Sequence, residues 1–418
     1  MKKLFFSLFL MSLFIMACNQ RSPVQAQMDW RFDRTGVYSN ETGLLKSWHE
    51  NGPELLWYFD GLGIGWSSVL VSNERLYVTG MEDGIGTLFV LDLNGRLLHQ
   101  IEYGTEWNRS FPGARAMPIA NDGKLYVVSG TGYIICYDQA TMNIVWQKDF
   151  VTEFGARTEL WGARQVRWGI GQMPVIVGNK LILMPGGLEH NIVALNKNDG
   201  SLIWSSQAEG DLSAYGSSVY VNAPGIVPQV VAWTAEHVVG VNIETGEMLW
   251  SFPFKENNSV HPNTPLFYDN KLLIQASYVG SVMLRLINGG RNVEKVWAEE
   301  RLDPITGHAV IIGDHIYTSS YARRSGHLWF CVNRHTGEIL WEDSRSLGSG
   351  LPIYADGMLY LYTERGEMAL VKPDTERLNI VSQFTIENGT GEHWAHPVIH
   401  NGVLYVRRGN SLMAYRIK

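Results

Sequence analysis

A short cassette recurs along this 418-residue chain and constrains its fold more than any other feature. Each copy holds an apolar alternation, a polar residue with a Thr-Gly or Asp-Gly turn, and a second alternation ending in Trp, as in VGVNIETGEMLWSF at residues 239–252. Because the spacing between copies stays near one value, it indicates a repeat architecture with one structural unit per copy. The Trp, or the residue in its place, falls at Trp57, His99, Trp146, Trp204, Trp250, Trp297, Trp341 and Ser382.

Each repeat has room for four short strands. Two alternating segments joined by an Asn, Asp or Gly turn precede the cassettes, as in PVIVGNKLILMPG and PIYADGMLYLYT. Four antiparallel strands form one blade of a propeller. The last repeat has only three strands, and a lone strand, PELLWYF, stands near the N-terminus. We therefore predict an all-β, eight-bladed propeller over residues 29–418, closed by pairing of its terminal strands, which removes exposed sheet edges.

The Trp of each cassette is predicted to pack between blades. It stands on the outermost strand at a fixed distance from a short polar residue, as Trp250 does from Asn242. A large ring repeated at one structural position serves packing, and its indole N–H needs a nearby acceptor. These Trp residues therefore support the fold and carry no information about chemistry.

The N-terminus predicts export. Residues 1–17 carry two lysines and then an apolar run too short for a stable membrane span, as in a signal peptide. Ile15-Met16-Ala17-Cys18 resembles a bacterial lipobox, so we expect a lipidated Cys18, a tether over residues 18–28 and an outer-membrane lipoprotein. Simple secretion to the periplasm, with cleavage after Ala26, is the alternative.

The net charge of the chain limits the classes of partner that it can bind. The formal charge of −7 and the lack of clustered Lys and Arg argue against a nucleic-acid partner, because phosphate binding requires such clusters. Membrane contact is expected only through the lipid anchor. We expect a monomer.

The polar residue, the Thr-Gly turn and the Trp resemble the docking repeat of the quinoprotein (pyrroloquinoline quinone, PQQ) alcohol dehydrogenase-like propellers. The resemblance covers essentially the whole chain after residue 28. Stretches such as WGIGQMP and YADGMLYL are similar to envelope proteins labelled PQQ-like or polyvinyl-alcohol-dehydrogenase-like. Chain length, lipobox and eight blades are similar in build to the propeller lipoprotein of the outer-membrane β-barrel assembly machinery. The resemblance implies the fold, but the family contains both enzymes and non-enzymatic members.

The resemblance does not decide whether the chain is an enzyme. The larger quinoprotein alcohol dehydrogenases carry an adjacent Cys pair, a calcium site and a catalytic Asp, and none of these can be carried over to residues here. The chain has only Cys18, Cys136 and Cys331, and it has no haem-attachment motif. Cys136 and Cys331 are predicted to be buried and far apart, in blades 2 and 6. A PQQ-dependent alcohol or sugar dehydrogenase with calcium therefore stays an alternative to a binding protein without a certain cofactor.

Candidate binding residues lie just before the innermost strands, where all blades converge on one face. A polyhydroxylated or anionic ligand fits their Arg, amide and aromatic groups, a transition metal fits three of the His, and a plain channel lining fits both sets. The predicted function is binding of a carbohydrate, another polar molecule or an envelope protein, and an outer-membrane assembly scaffold is a further alternative. The candidates are Arg115, Arg167, Trp168, Gln172, Tyr215, His261, Asn263, His308, His393, Trp394 and His396, with His261, His308 and His396 as the metal set.

An insertion between Trp146 and Trp204 adds about twelve residues to the repeat and is rich in aromatic and basic side chains. It predicts a lid over the axial face, and the alternative is a structural insertion that packs on a neighbouring blade. The lid candidates are Phe154, Arg157, Trp161 and Arg164. The pair Arg407-Arg408 is interpreted as solvated turn charges.

Overall fold

The fold is the predicted eight-bladed β-propeller. A computed structural model describes residues 29–157, 169–255, 261–320 and 327–418. Eight sheets surround one axis, and each blade contains four antiparallel strands. Two helices, α1 (Arg31–Arg34) and α2 (Phe150–Phe154), and a 3-10 turn, η1 (Asn288–Gly290), accompany the strands. In the described part of the chain, no helix has the length and apolar character needed to cross a membrane.

Blades 1 to 6 each use four strands that follow one another in sequence, with the first strand innermost. In blades 1 to 3 they are β3 (Leu70–Ser72), β4 (Arg75–Glu82), β5 (Ile85–Asp92) and β6 (Leu97–Thr105); β7 (Ile119–Asn121), β8 (Lys124–Val128), β9 (Tyr133–Asp138) and β10 (Ile144–Asp149); β11 (Val175–Val177), β12 (Lys180–Leu183), β13 (Ile192–Asn196) and β14 (Leu202–Ser206). In blades 4 to 6 they are β15 (Val219–Val221), β16 (Gln229–Trp233), β17 (His237–Asn242) and β18 (Met248–Pro253); β19 (Leu266–Tyr268), β20 (Lys271–Ala276), β21 (Gly280–Ile287) and β22 (Asn292–Glu299); β23 (Val310–Ile312), β24 (His315–Ser320), β25 (Leu328–Asn333) and β26 (Ile339–Asp343).

Blades 7 and 8 take strands from both ends of the described chain. Blade 7 contains β27 (Gly350–Ala355), β28 (Met358–Thr363), β29 (Glu367–Lys372) and β30 (Asn379–Thr385), and β1 (Val37–Tyr38) adds to β27 in parallel. Blade 8 contains β31 (Val398–His400), β32 (Val403–Arg408) and β33 (Ser411–Arg416), with β2 (Glu54–Asp60) as its outermost strand. The predicted closure by pairing of the terminal strands is therefore confirmed.

The cassette Trp residues pack between blades, as predicted. Trp204 of blade 3 is buried and donates its indole N–H to the Ile243 carbonyl of blade 4, at 3.0 Å. Its ring lies on the turn glycine Gly246, where a Cβ would come within 2.8 Å of the ring, so only glycine fits there. Trp250 differs, because its N–H bonds to Gln229 of its own blade, at 2.7 Å. Apolar clusters formed by neighbouring blades make up the core, and Cys136 and Cys331 are fully buried in two of them.

The chain before blade 1 follows a path that the repeat does not predict. Residues 29–38, here called the axial segment, run along the axis and end in β1 against β27. Residues further on cross the far end of blades 7 and 8, where Glu41 accepts the backbone N–H groups of Asn401 and Gly402. Trp48 then packs on Tyr360 and Phe384 before β2 begins. The axial segment therefore fills the central channel, beside the face on which the sequence predicts ligand binding.

Candidate functional site

The axial segment is held by backbone carbonyls of the innermost strands. The Arg34 guanidinium donates to the carbonyl oxygens of Pro174 (2.7 Å) and Ser218 (2.8 Å). Arg31 donates to those of Ala309 (2.8 Å) and Pro352 (3.2 Å), and both Arg side chains are buried. Asp29 forms an ion pair with Arg34 at 2.8 Å. Burial lowers the pKa of Arg31 to about 10, so the group remains charged at neutral pH.

These acceptors form a ring. Each carbonyl belongs to a residue that stands four positions before the turn joining the first two strands of its blade. The carbonyls therefore occupy equivalent places around the axis. The hydroxyl of Tyr38, the last residue of the axial segment, donates to a fifth member at 3.3 Å. The axial carbonyl ring is defined by Pro174, Ser218, Ala309, Pro352 and Pro397 of blades 3, 4, 6, 7 and 8.

Two of the predicted metal-binding His residues meet at the entry to the channel. His396 Nε2 and His308 Nδ1 lie 3.1 Å apart, and Trp30 packs edge-on against both rings. His308 Nε2 accepts the backbone N–H of Thr264, so its Nδ1 carries the proton in the neutral ring. Burial holds the pKa values of both His residues well below the usual range. The pair is thus a neutral, buried contact covered by Trp30.

The third metal candidate is engaged elsewhere. His261 stacks on Trp233 with ring centroids 3.9 Å apart, and its Nε2 bonds to the Ala235 carbonyl. Burial lowers the pKa of His261 to about 4. No group of three or more His, Cys, Asp or Glu side chains that could hold a metal ion occurs among the described residues.

Three other candidates serve as internal supports. Gln172 bonds through both amide atoms to the backbone of Met184. Asn263 donates to the carbonyls of Gln275 and Pro304 and accepts the His308 N–H. His393 lies 2.6 Å from the Tyr362 hydroxyl, and burial lowers its pKa to about 4. These side chains have their hydrogen bonds within the protein.

The remaining candidates gather beside the filled axis on the entry face, the face that carries the segments leading into the innermost strands. The Arg115 guanidinium lies over Trp66 (5.4 Å), Trp107 (5.9 Å) and Tyr215 (5.4 Å). Its Nη2 donates to the carbonyls of Ser110 and Phe111, whereas its buried Nε and Nη1 have no hydrogen-bond partner among the described residues. Burial raises the pKa of Tyr215 to about 12, and the nearby Arg115 offsets part of the rise.

Three aromatic rings, one exposed and two half-buried, gather beside Arg115. Trp394 contacts Trp66 at 5.0 Å and Phe111 at 5.4 Å between ring centroids. Phe111 is 47% exposed and Ile64 is 48% exposed, while the two Trp rings are half-buried. We call Ile64, Trp66, Phe111 and Trp394 the entry-face aromatic cluster. It joins the lead-in segments of blades 8, 1 and 2.

Two residues that the sequence interpretation missed support this cluster. Glu106 is buried, and its carboxylate accepts the Tyr103 hydroxyl and the backbone N–H groups of Trp107 and Gly130 at 2.6–2.7 Å. Burial raises the pKa of Glu106. Arg407 was interpreted as a solvated charge, but that prediction is wrong, because it is 2% exposed and bonds to the Ser67 and Thr79 carbonyls.

The described part of the insertion packs on blade 3. Phe154 is buried against His190, and Arg157 donates to the carbonyls of Gly186 (3.1 Å) and Gly210 (2.7 Å). These contacts match the structural alternative for this end of the insertion. The other predicted lid and site residues lie outside the described residues, namely Trp161, Arg164, Arg167 and Trp168. Cys18 and its tether lie outside them as well.

The axis does not fit a calcium-bound quinone. Calcium needs six to eight oxygen ligands, several of them carboxylates. The axial carbonyls bind Arg31 and Arg34 instead, and these cations would repel calcium. Cys136 and Cys331 lie in blades 2 and 6, on opposite sides of the ring. The residues at the axis therefore do not form a site for calcium and PQQ.

Comparisons with known proteins agree with the architecture. The chain is 26% identical over 244 residues to the outer membrane protein assembly factor BamB of Shewanella oneidensis, covering 54% of this chain and 56% of that protein. It is 27% identical over 154 residues to the quinoprotein alcohol dehydrogenase PedH of Pseudomonas putida, covering 35% of this chain and 24% of that enzyme. These matches thus span about half and one quarter of the relatives' lengths.

A solved structure shows the same fold. The crystal structure of BamB from Moraxella catarrhalis superposes with a TM-score of 0.60 at 14% identity, over 87% of this chain and 99% of that one. A family model described as outer membrane protein assembly factor BamB matches residues 148–379, more than half of the chain. The chain therefore belongs to the PQQ-like propeller family that this model describes.

Proposed function

We propose that this chain is a non-enzymatic binding propeller of the bacterial cell envelope that docks a protein partner on its entry face. The observation that carries the proposal is the entry-face aromatic cluster beside an axis that the chain fills itself. Since residues 29–38 fill the channel, a partner on this face would meet the exposed Phe111 and the half-buried Trp66 and Trp394 beside Arg115.

The cluster has the composition of a protein-binding hot spot. Aromatic residues and Arg dominate the binding energy of protein interfaces, because large rigid rings bury much area at little entropic cost. Here Trp66 and Trp394 are already packed against each other, and Arg115 fixes the loop that carries Phe111. The rings are therefore preorganised, which reduces the entropy lost on binding.

The comparisons support a partner in the envelope. The Shewanella relative is named an outer membrane protein assembly factor, and we extend that class of role to this chain. A lipid on Cys18 would keep the propeller at the membrane where such partners are inserted. The same aromatic faces could stack on sugar rings, so a carbohydrate ligand is the competing outcome of the tests.

A complementation experiment tests the proposal. In a strain lacking this protein, we expect outer-membrane β-barrel proteins to fall in abundance and the wild-type chain to restore them. Phe111→Ser should fail to restore them, whereas Leu202→Ser should succeed, because Leu202 is equally exposed, at 47%, but lies on the outermost strand of blade 3. Equal rescue by both variants, or unchanged protein levels in the deletion strain, would contradict the proposal.

The enzyme alternative has its own test. We expect purified protein mixed with PQQ and calcium to give no dye-linked oxidation of primary alcohols or sugars. Turnover that depends on both additions would contradict a non-enzymatic role, whatever the complementation result.

A further inference from the structure

We propose that the axial channel is a binding site for an arginine-bearing peptide, with the chain's own residues 29–38 as its resident ligand. This inference goes beyond the proposed function, because it concerns the channel and not the entry-face aromatic cluster. It follows from the axial carbonyl ring, from the strand pairing of the segment and from how the segment is joined to the blades.

The ring selects cations rich in N–H donors. Four of its carbonyl oxygens accept guanidinium groups, and a fifth accepts the Tyr38 hydroxyl. Carbonyl oxygens have no proton to give, and Arg carries five donors in a planar fork that can reach two acceptors at once. An anionic group at the axial carbonyl ring would face only hydrogen-bond acceptors. We therefore expect anionic ligands not to bind there.

Strand pairing adds sequence-independent binding. Val37 and Tyr38 pair in parallel with Tyr354 and Ala355 of β27, and the Tyr354 N–H donates to the Gly36 carbonyl at 2.8 Å. Addition of a strand to a sheet is a common mode of peptide recognition. Gly36 is required for the fit, because a Cβ there would lie 2.3 Å from the Arg31 guanidinium.

The N-terminal end of the axial segment is held by packing of one aromatic side chain. Trp30 is 6% exposed and fits against His308 and His396, so the site has a pocket for one aromatic side chain. The ligand pattern is therefore Trp-Arg-x-x-Arg-x-Gly-x-Tyr, read from Trp30 to Tyr38.

The axial segment contacts the blades as a separate peptide ligand would. All the bonds that hold it to the ring join residues more than 100 positions apart, and the next two residues, Ser39 and Asn40, are exposed. The covalent link at this point adds effective concentration but no contact with the channel. A free peptide of the same sequence meets the same acceptors.

Cleavage of the folded protein tests this. A protease site is placed between Ser39 and Asn40 of the full chain, the folded protein is cut, and the N-terminal fragment is followed by size-exclusion chromatography. We expect the fragment to stay bound at micromolar protein. Synthetic peptides of residues 29–38 are then added as competitors, so that only one protein, with the wild-type channel, has to fold.

The wild-type peptide should release the fragment at a concentration at least 100-fold lower than a peptide carrying Arg31→Gln and Arg34→Gln, because the latter loses the charged donors to four carbonyls. A matched Asp33→Ala peptide should act within about threefold of wild type, since Asp33 is exposed and bonds to Thr35 of the same segment. Loss of the fragment on cutting, unfolding on cutting, no release by any peptide, or equal release by the Gln peptide would each overturn the proposal.

Discussion

Replacing Arg34 with Met should destabilise the propeller far more than removing a surface arginine. Met keeps most of the apolar volume but removes the charged donors to the Pro174 and Ser218 carbonyls. Hydrogen bonds from charged groups contribute about 1.5–3 kcal/mol each, and the partly exposed Asp29 pair adds at most about 1 kcal/mol. Hydration of the freed carbonyls recovers a part, so we expect a loss of about 4 kcal/mol in the free energy of unfolding.

This loss is measurable by calorimetry. An unfolding entropy of roughly 2.1 cal/mol/K per residue gives about 0.8 kcal/mol/K for residues 29–418, so Tm should fall by about 5 °C. Arg285→Met is the matched control, because Arg285 pairs with Glu294 at 2.9 Å while both side chains are about half exposed. We expect a shift of at most about 1 °C for the control. Equal shifts for the two variants would refute the buried role of Arg34.

Three further predictions concern stability. Because burial lowers the pKa of His261 to about 4 from 6.5 in the unfolded chain, the unfolded state binds more protons between these values; His261 should therefore contribute roughly 3 kcal/mol to the stability lost as pH drops from 6.5 to 4, and His261→Phe, which keeps the stack on Trp233, should reduce the loss in urea titrations by that amount, whereas an unchanged loss would contradict it. Gly246→Ala should cost about 1–3 kcal/mol more than Gly178→Ala by denaturant midpoint, since both glycines have positive φ but only Gly246 would push a Cβ into the Trp204 ring; equal costs would refute the docking role of that ring. Arg407→Met should also destabilise the protein by about 3–5 kcal/mol, whereas Arg408→Met, at the half-buried neighbouring position, should change stability by less than about 1 kcal/mol, and a reversed order in the same titrations would contradict the burial of Arg407.

The repeating features were predictable because each is local and occurs many times. Turn residues, alternating apolar residues and a Trp at a fixed distance recur in most blades, so one weak copy, such as His99 in blade 1, does not hide the pattern. The last repeat likewise lacks its outer strand, and the lone strand near the N-terminus, β2, supplies it. Blade number, closure and Trp docking follow from these signals.

The features that occur once were not predictable in this way. Residues 29–38 have no second copy, and nothing local in Arg31 or Arg34 indicates that their acceptors are backbone carbonyls of four distant blades. Arg407 next to Arg408 looks like a solvated turn, but one side chain points between blades 8 and 1. A buried charge is defined by distant partners, which single-sequence patterns do not contain.

The candidate site also has one part that the repeat predicts and one part that it does not. The lead-in segments were the right place to look, and they bring Arg115, Tyr215 and Trp394 to the entry face. The His residues at equivalent positions could not be assigned from sequence, because Trp30 from outside the repeat covers two of them.

Photo-crosslinking in living cells tests the central claim most directly. A photoreactive amino acid is placed at position 111 in one strain and at position 202 in another, the sites being equally exposed at 47% but on different surfaces. We predict that position 111 forms a defined adduct with an outer-membrane protein or its assembly machinery, identified by mass spectrometry, and that position 202 does not. Adducts that are absent at 111, or the same at both positions, would contradict docking through the entry-face aromatic cluster.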